Sequence, residues 1–208
     1  MFCHSKGVLR RTAILQVARE VFCEVGYAST SMASIAARLG GSKGTLYKYF
    51  RSKEELFAAT LDDLIASYGG QTLLPAITGD DLEKTVTVIC RKVSAAMASP
   101  PLLALFRLVI AESPRFPELG RAYHERLMVP AYRVIGAFLQ QCMEKQLLKP
   151  ADPQRAAAQL VALCRGDSFI RMLANTAPPP SSADTQADAD AAAATFLAAF
   201  AVPMRIPS

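Results

Sequence analysis

Residues 30–57, TSMASIAARLGGSKGTLYKYFRSKEELF, decide the reading of this chain: two short amphipathic segments meet at a double glycine, and the second opens on basic and hydroxyl residues. That order is the layout of a helix-turn-helix, which lays its second helix in the DNA major groove. Thr30 or Ser31 is placed to cap the first helix, Ile35, Ala36 and Leu39 give it an apolar stripe, and Gly40-Gly41 breaks it. Ser42 is placed to cap the second. From that cap Lys43, Gly44, Thr45, Tyr47 and Lys48 fill the first turns, where side chains and backbone N–H groups meet phosphates and base edges. Leu46 and Phe50, four residues apart, are left to anchor the helix to a core.

The charge distribution agrees with this. Residues 1–53 hold nine Lys and Arg against only Glu20 and Glu24, a net +7, while the rest of the chain carries −2 of the total +5. The basic excess is thus confined to the segment that would neutralise a phosphate backbone.

Elsewhere the periodicity is helical and no run of strand alternation appears, so the expected fold is all-α: a three-helix N-terminal head followed by a helical bundle. The first helix is expected over 8–25, with Ile14, Val17, Ala18, Val21, Phe22 and Val25 on one face and Gly26 as its stop. A fourth helix begins near Lys53, behind a capping box of Ser52 and Glu55, and Gly69-Gly70, Pro75 and Gly79 mark the exit from it. Asp80 or Asp81 opens a helix carrying Leu82, Val86, Ile89, Val93 and Met97, which Ser99-Pro100-Pro101 ends. A long helix over about 118–148 carries a kink at Pro130. Asp152-Pro153 starts an Ala-rich helix running to about 174, the prolines at 178–180 form an exposed loop, and a last Ala-rich helix spans about 185–202. The expected division is a DNA-binding domain at 1–53 and a regulatory and dimerisation domain at 54–208.

In these residues the chain resembles the tetracycline-repressor (TetR/AcrR) family of bacterial transcription regulators. The resemblance runs through Ile14–Phe22, Gly26-Tyr27, Thr30-Ser31, Ile35-Ala36, Ser42-Lys43-Gly44-Thr45-Leu46-Tyr47, Tyr49-Phe50 and Ser52-Lys53-Glu54-Glu55-Leu56-Phe57. It implies DNA contacts from Thr30 or Ser31, Lys43, Gly44, Thr45, Tyr47, Tyr49 and Lys53, a homodimer through the last two helices, and a small-molecule pocket among the middle ones. Gly41 departs from the pattern, since the family has a valine there; a glycine in helical conformation at this point would loosen the turn by about 0.5–1 kcal/mol. For dimerisation, the sequence itself offers the stripes Ala156, Ala157, Leu160, Leu163, Cys164 and Ala191–Ala194 with Phe196, Leu197, Phe200.

Other chemistries find little footing. The five cysteines are an odd number scattered through apolar patterns, which fits reduced core residues of a cytoplasmic protein rather than a disulfide framework. The N-terminus turns basic before any signal-peptide h-region develops, and the most apolar stretch, 102–111, is interrupted by Arg107 and too short to span a bilayer. With two histidines and no C-x-x-C or H-E-x-x-H, no metal site is expected, nor any cofactor. Gly40-Gly41-Ser42-Lys43-Gly44 matches the nucleophile elbow G-x-S-x-G, which requires a preceding strand where a helix is expected here.

A buried pocket would be marked by Arg107, a charge inside LLALFRLVIA that either pairs with an acid (Glu112, Glu118 or Asp167) or faces a cavity and selects an anionic ligand. Phe106, Met97, Phe138, Cys90 and Phe169, with Met143, are available as apolar lining. Three functions follow from the sequence: a repressor released from a pseudo-palindromic operator by a small-molecule effector, a DNA-binding regulator or activator without a ligand, and a serine hydrolase using Ser42.

Overall fold

In the computed structural model, which describes residues 3–68, 81–176 and 178–203, helix α1 (Cys3–Val25) precedes the pair α2 (Met32–Arg38) and α3 (Lys43–Tyr47). Then come α4 (Lys53–Tyr68), α5 (Leu82–Ala98), α6 (Pro100–Glu112), α7 (Pro117–Tyr123), a single π-helical turn (His124–Met128), α8 (Val129–Glu144), α9 (Pro153–Leu163), α10 (Gly166–Leu173) and α11 (Ser182–Phe200). No strand occurs among the described residues beyond an isolated bridge between Leu148 and Ala201, so the fold is all-α as expected. No single described helix is long and apolar enough to cross a bilayer. The expected exit signals Gly69-Gly70, Pro75 and Gly79, and the alternative cap Asp80, lie outside the described residues; Asp81 is the cap of α5, its carboxylate accepting from the Lys84 N–H at 3.0 Å.

The chain forms two compact units, Met1–Ser67 with Ala104–Leu127, and Tyr68–Leu103 with Met128–Ser208. In the first, α1 buries Ile14, Leu15, Ala18, Val21 and Phe22, and Ile35, Leu46, Phe50, Leu56 and Phe57 are buried in the same unit. This differs from the expected face at its end: Val25 is 53% exposed and Leu15 is buried. The covered arc follows i, i+1, i+4, i+7, i+8, and the chain turns away at Gly26 (φ +84°) before Val25 can join it. Phe22 stacks on Tyr27 with ring centres 5.5 Å apart, Phe57 meets both edge-on at 5.6 Å, and Phe116 meets Tyr27 at 5.2 Å.

In the second unit α5 lies along α11, and α9 packs on α8 and α11. Ala156, Ala157, Ala189, Ala192 and Ala193 are buried where these helices meet, their small side chains letting the backbones approach. The first expected dimer stripe is therefore largely core of the single chain, with Leu163 exposed, whereas the second buries Ala192, Ala193 and Phe196, half-buries Leu197 and Phe200 and leaves Ala191 and Ala194 exposed. The long helix expected over 118–148 is instead α7, a π turn and α8. Pro130, with no N–H to give, sits in the first turn of α8 directly after the π turn, which absorbs the misfit that a straight helix could not. The helix expected over 152–174 is likewise broken, by Gly166 at φ +52°. The last helix starts three residues early because Ser181 and Asp184 form a capping box.

Candidate nucleic-acid interface

The caps predicted for the helix-turn-helix are formed. Ser31, not Thr30, caps α2: its hydroxyl accepts from the Ser34 N–H at 3.0 Å while the Ser34 hydroxyl accepts from the Ser31 N–H at 3.0 Å. Gly40 closes α2 in the left-handed region at φ +63°. Ser42 caps α3 by accepting from the Thr45 N–H at 3.2 Å, and its hydroxyl lies 3.0 Å from that of Thr45. Beneath, Leu46 and Phe50 are buried and fix α3 to α1 and α2.

What this leaves on the surface is Ser42, Lys43, Gly44, Tyr47 and Lys48, all exposed, with Thr45 and Tyr49 half-buried beside them. The Lys43 ammonium lies 5.6 Å from the centre of the Tyr47 ring, so a cation and an aromatic face present themselves together. Ser31 is exposed at the start of α2. Other head cations are engaged within the fold: Arg38 pairs with Glu24 at 2.8 Å, and Arg11 lies over Phe50 at 5.4 Å.

Two expected contact residues behave differently. Thr30 is buried and donates its hydroxyl to the Gly26 carbonyl at 2.7 Å, so its side chain braces the α1–α2 turn and does not face outward. Lys53, expected as a phosphate contact, is half-buried and donates to the carbonyls of Tyr27 (2.8 Å) and Thr30 (2.9 Å), its ammonium 4.2 Å from the centre of the Tyr27 ring. The Tyr27 phenol donates to Glu54 at 3.2 Å; burial first, then the Glu54 charge, pushes its pKa well above the ordinary tyrosine value. The Ser52 cap of α4 is present, accepting from the Glu55 N–H at 3.1 Å, but Glu55 reaches back to the Arg51 N–H (2.7 Å) rather than to Ser52.

Gly41 is not the loosened helical position expected. It lies in a bend, and a β-carbon there would come within 3.0 Å of the mobile guanidinium tip of Arg10, above a hollow lined by Ile14, Ala36, Leu39 and Leu46. Sequence reading offered Glu112 only as a partner for Arg107 and missed its role at the head. Its carboxylate accepts from the Ala28 N–H at 3.2 Å and occupies the space where a β-carbon of Gly26 would come within 2.8 Å. The end of α6 thus grips the turn that sets α2, and no local pattern announces a contact between residues 84 apart in sequence.

The expected ligand residues are divided between the two compact units. Phe106 and Arg107 belong to the first unit, Cys90, Met97, Phe138 and Phe169 to the second. Arg107 is exposed, so the burial on which both of its readings rested is absent: α6 buries Leu105, Leu108 and Val109 and turns Arg107 and Ile110 outward. Of the acids named for it, Glu112 accepts from the Ala28 N–H and Asp167 lies 3.9 Å from Arg171. Phe106 packs edge-on with Tyr123 at 5.5 Å. Met97 and Phe169 line a recess of about 260 Å³, open solvent at its mouth included, together with Ser94, Cys164, Met172 and Asp188, while Cys90 and Phe138 are buried. Ser42 follows a helix, not the strand of a nucleophile elbow, and its hydroxyl is committed to the α3 cap.

Residues 14–60 match the model of bacterial regulatory proteins of the tetR family, and residues 84–202 match that of the AefR-like transcriptional repressor C-terminal domain. A DNA-binding transcriptional repressor TetR of Mycobacteroides abscessus is 33% identical over 130 residues, 62% of this chain and 60% of that protein's length. Among solved structures, one from Mesorhizobium loti assigned to the tetR family covers 94% of this chain and 98% of its own at 29% identity, with a TM-score of 0.79. The flavonoid-responsive regulator FrrA covers 94% and 98% at 28% identity, with a TM-score of 0.74.

Proposed function

The chain belongs to the TetR family of transcription regulators, and from that footing we propose that it is a cytoplasmic, homodimeric repressor whose α3 reads a pseudo-palindromic operator and lets go when a small-molecule effector fills the body. The observation that carries the reading is the exposed array of Ser42, Lys43, Gly44, Tyr47 and Lys48 on a capped, core-anchored α3 within a segment of net charge +7. In this reading Lys43 and Lys48 pair with phosphates, Thr45, Tyr47 and Tyr49 approach base edges and sugars, and Ser31 and the backbone of Gly44 add phosphate contacts. Lys53, with two of its three donors used internally, offers the third to a phosphate. Function divides at about residue 53, with the DNA contacts before it and effector binding and dimerisation after it.

Release is a population shift, so an effector must favour one arrangement of the heads over the other. Glu112 supplies a route. It ends α6, a helix that begins in one compact unit and finishes in the other, and it holds the Ala28 amide ahead of α2. That FrrA is described as flavonoid-responsive supports an effector for this relative; Met97 and Phe169, at the recess, are the expected ligand residues best placed to meet one.

Selection from a randomised duplex library, followed by anisotropy titrations of the winning sequence against a scrambled one, tests the reading. An inverted repeat bound at least a thousandfold more tightly than the scrambled duplex, with affinity falling linearly in the logarithm of salt, is the expected result. Failure to enrich any sequence overturns it.

A further inference from the structure

Arg10 stands on α1 one turn before the buried Ile14, at a hollow of about 190 Å³, open solvent at its mouth included, formed where α1 meets the turn that joins α2 to α3. Ile14, Ala36, Leu39 and Leu46 make the hollow apolar, and Ser42 and Thr45 border it from the proposed DNA face. Gly41 leaves it open: a β-carbon at that position would come within 3.0 Å of Arg10 Nη2, so the guanidinium stands where a longer residue would put its side chain. Arg10 is half-buried there. Arg38, Arg91 and Arg126 each hold an acid within 2.8 Å, whereas Arg10 makes no hydrogen bond or ion pair with any described residue.

We propose that Arg10 binds a backbone phosphate of the duplex that α3 reads, from a seat that Gly41 provides. The inference rests on α3 as the reading helix and adds to it a cation from a different helix. The apolar hollow takes the Arg10 stem and restrains it before DNA arrives, so less side-chain freedom is lost on contact. The guanidinium keeps five N–H donors in a planar fork that matches phosphate oxygens two at a time. Ser42, exposed and next to Lys43, lines the same hollow, so an anion that meets this end of the DNA face comes within reach of Arg10. A phosphate, not a base edge, is the expected partner: α3 is the element that enters the groove, and α1 stands behind the turn, where the strand backbone flanks it.

The test is a set of anisotropy titrations over a salt series, with the selected inverted repeat and its scrambled counterpart, on full-length wild type, Arg10→Met, Arg10→Lys and Gly41→Val. Arg10→Met keeps the stem and should lose about tenfold in affinity for both duplexes alike, lower the salt slope by about one and leave the melting temperature unchanged. Arg10→Lys should restore the slope, since a phosphate answers to charge. Gly41→Val fills the seat, and should weaken binding in the wild-type background but add nothing to Arg10→Met. In wild-type protein the inverted repeat should also shield Arg10 from phenylglyoxal, read by mass spectrometry, which decides the matter even if a variant fails to fold. Wild-type binding with an unchanged slope in Arg10→Met, a loss confined to the selected sequence, or Arg10 equally reactive with and without DNA overturns this inference alone. A wild type that binds neither duplex overturns the reading of α3 beneath it as well.

Discussion

The ammonium of Lys53 has three N–H donors, and two of them end on the carbonyls of Tyr27 and Thr30 while Lys43 stands exposed over Tyr47. The two lysines therefore part company on substitution. Lys43→Ala should weaken binding to all duplexes alike and reduce the salt slope by about one, with the melting temperature unchanged. Lys53→Ala should also lose about 1–3 kcal/mol of head stability, since it strands two carbonyls that a charged donor served. Anisotropy over a salt series beside thermal melts separates them, and equal melting temperatures in the two variants would contradict the structural share of Lys53. Glycines give a second pair of opposite signs. Gly26→Ala forces a β-carbon into the left-handed region and against Glu112, a cost of about 1–2 kcal/mol from the backbone alone. Gly41→Ala meets only the movable tip of Arg10 and stiffens the unfolded chain, so it should gain about 0.4–1 kcal/mol. Urea melts of the two variants should therefore shift in opposite directions.

Local chemistry makes α2 and α3 readable in advance, because Ser31, Ser42 and Gly40 act within four residues of where they stand. Elements whose course depends on distant packing are not readable in this way. An apolar run holding one Arg reads the same whether the helix is buried all round or, like α6, shows one side to water, and that is why Arg107 looked buried. Alanine-rich segments are equally ambiguous: the spacing of Ala156, Ala157 and Leu160 fits a partner's surface as well as it fits α8 and α11 of the same chain. The grip of α6 on the α1–α2 turn is wholly non-local, and its test lies at this scale. Glu112→Ala removes the acceptor of the Ala28 amide and touches no residue of the proposed DNA face. Losing a hydrogen bond to a charged acceptor, about 1.5 kcal/mol, should raise the hydrogen-exchange rate at Ala28 roughly tenfold. Operator affinity should fall with it if the turn sets the pose of α2. Unchanged exchange at Ala28 would show that the turn holds without α6.

At the scale of the whole molecule, twofold symmetry would match the two heads to two half-sites about one helical turn apart, so DNA reading would depend on the surface that makes the dimer. The structure narrows where that surface can be. Ala157 is wholly buried in the single chain, and Glu in its place would insert an unpaired charge into the contact of α9 with α8 and α11 and unfold the body rather than split a dimer. Ala194 is exposed on α11 and Leu163 at the end of α9, and both are free to meet a second copy. Ala194→Glu should keep the helical circular-dichroism signal of the wild type yet sediment as a monomer at micromolar concentration, where the wild type sediments as a dimer. Binding to an isolated half-site should survive in this variant, while the affinity for the full inverted repeat collapses towards that of the half-site, because the gain from linking two heads is lost. A wild type that sediments as a monomer would remove the symmetric model, and an Ala194→Glu dimer would move the interface off α11.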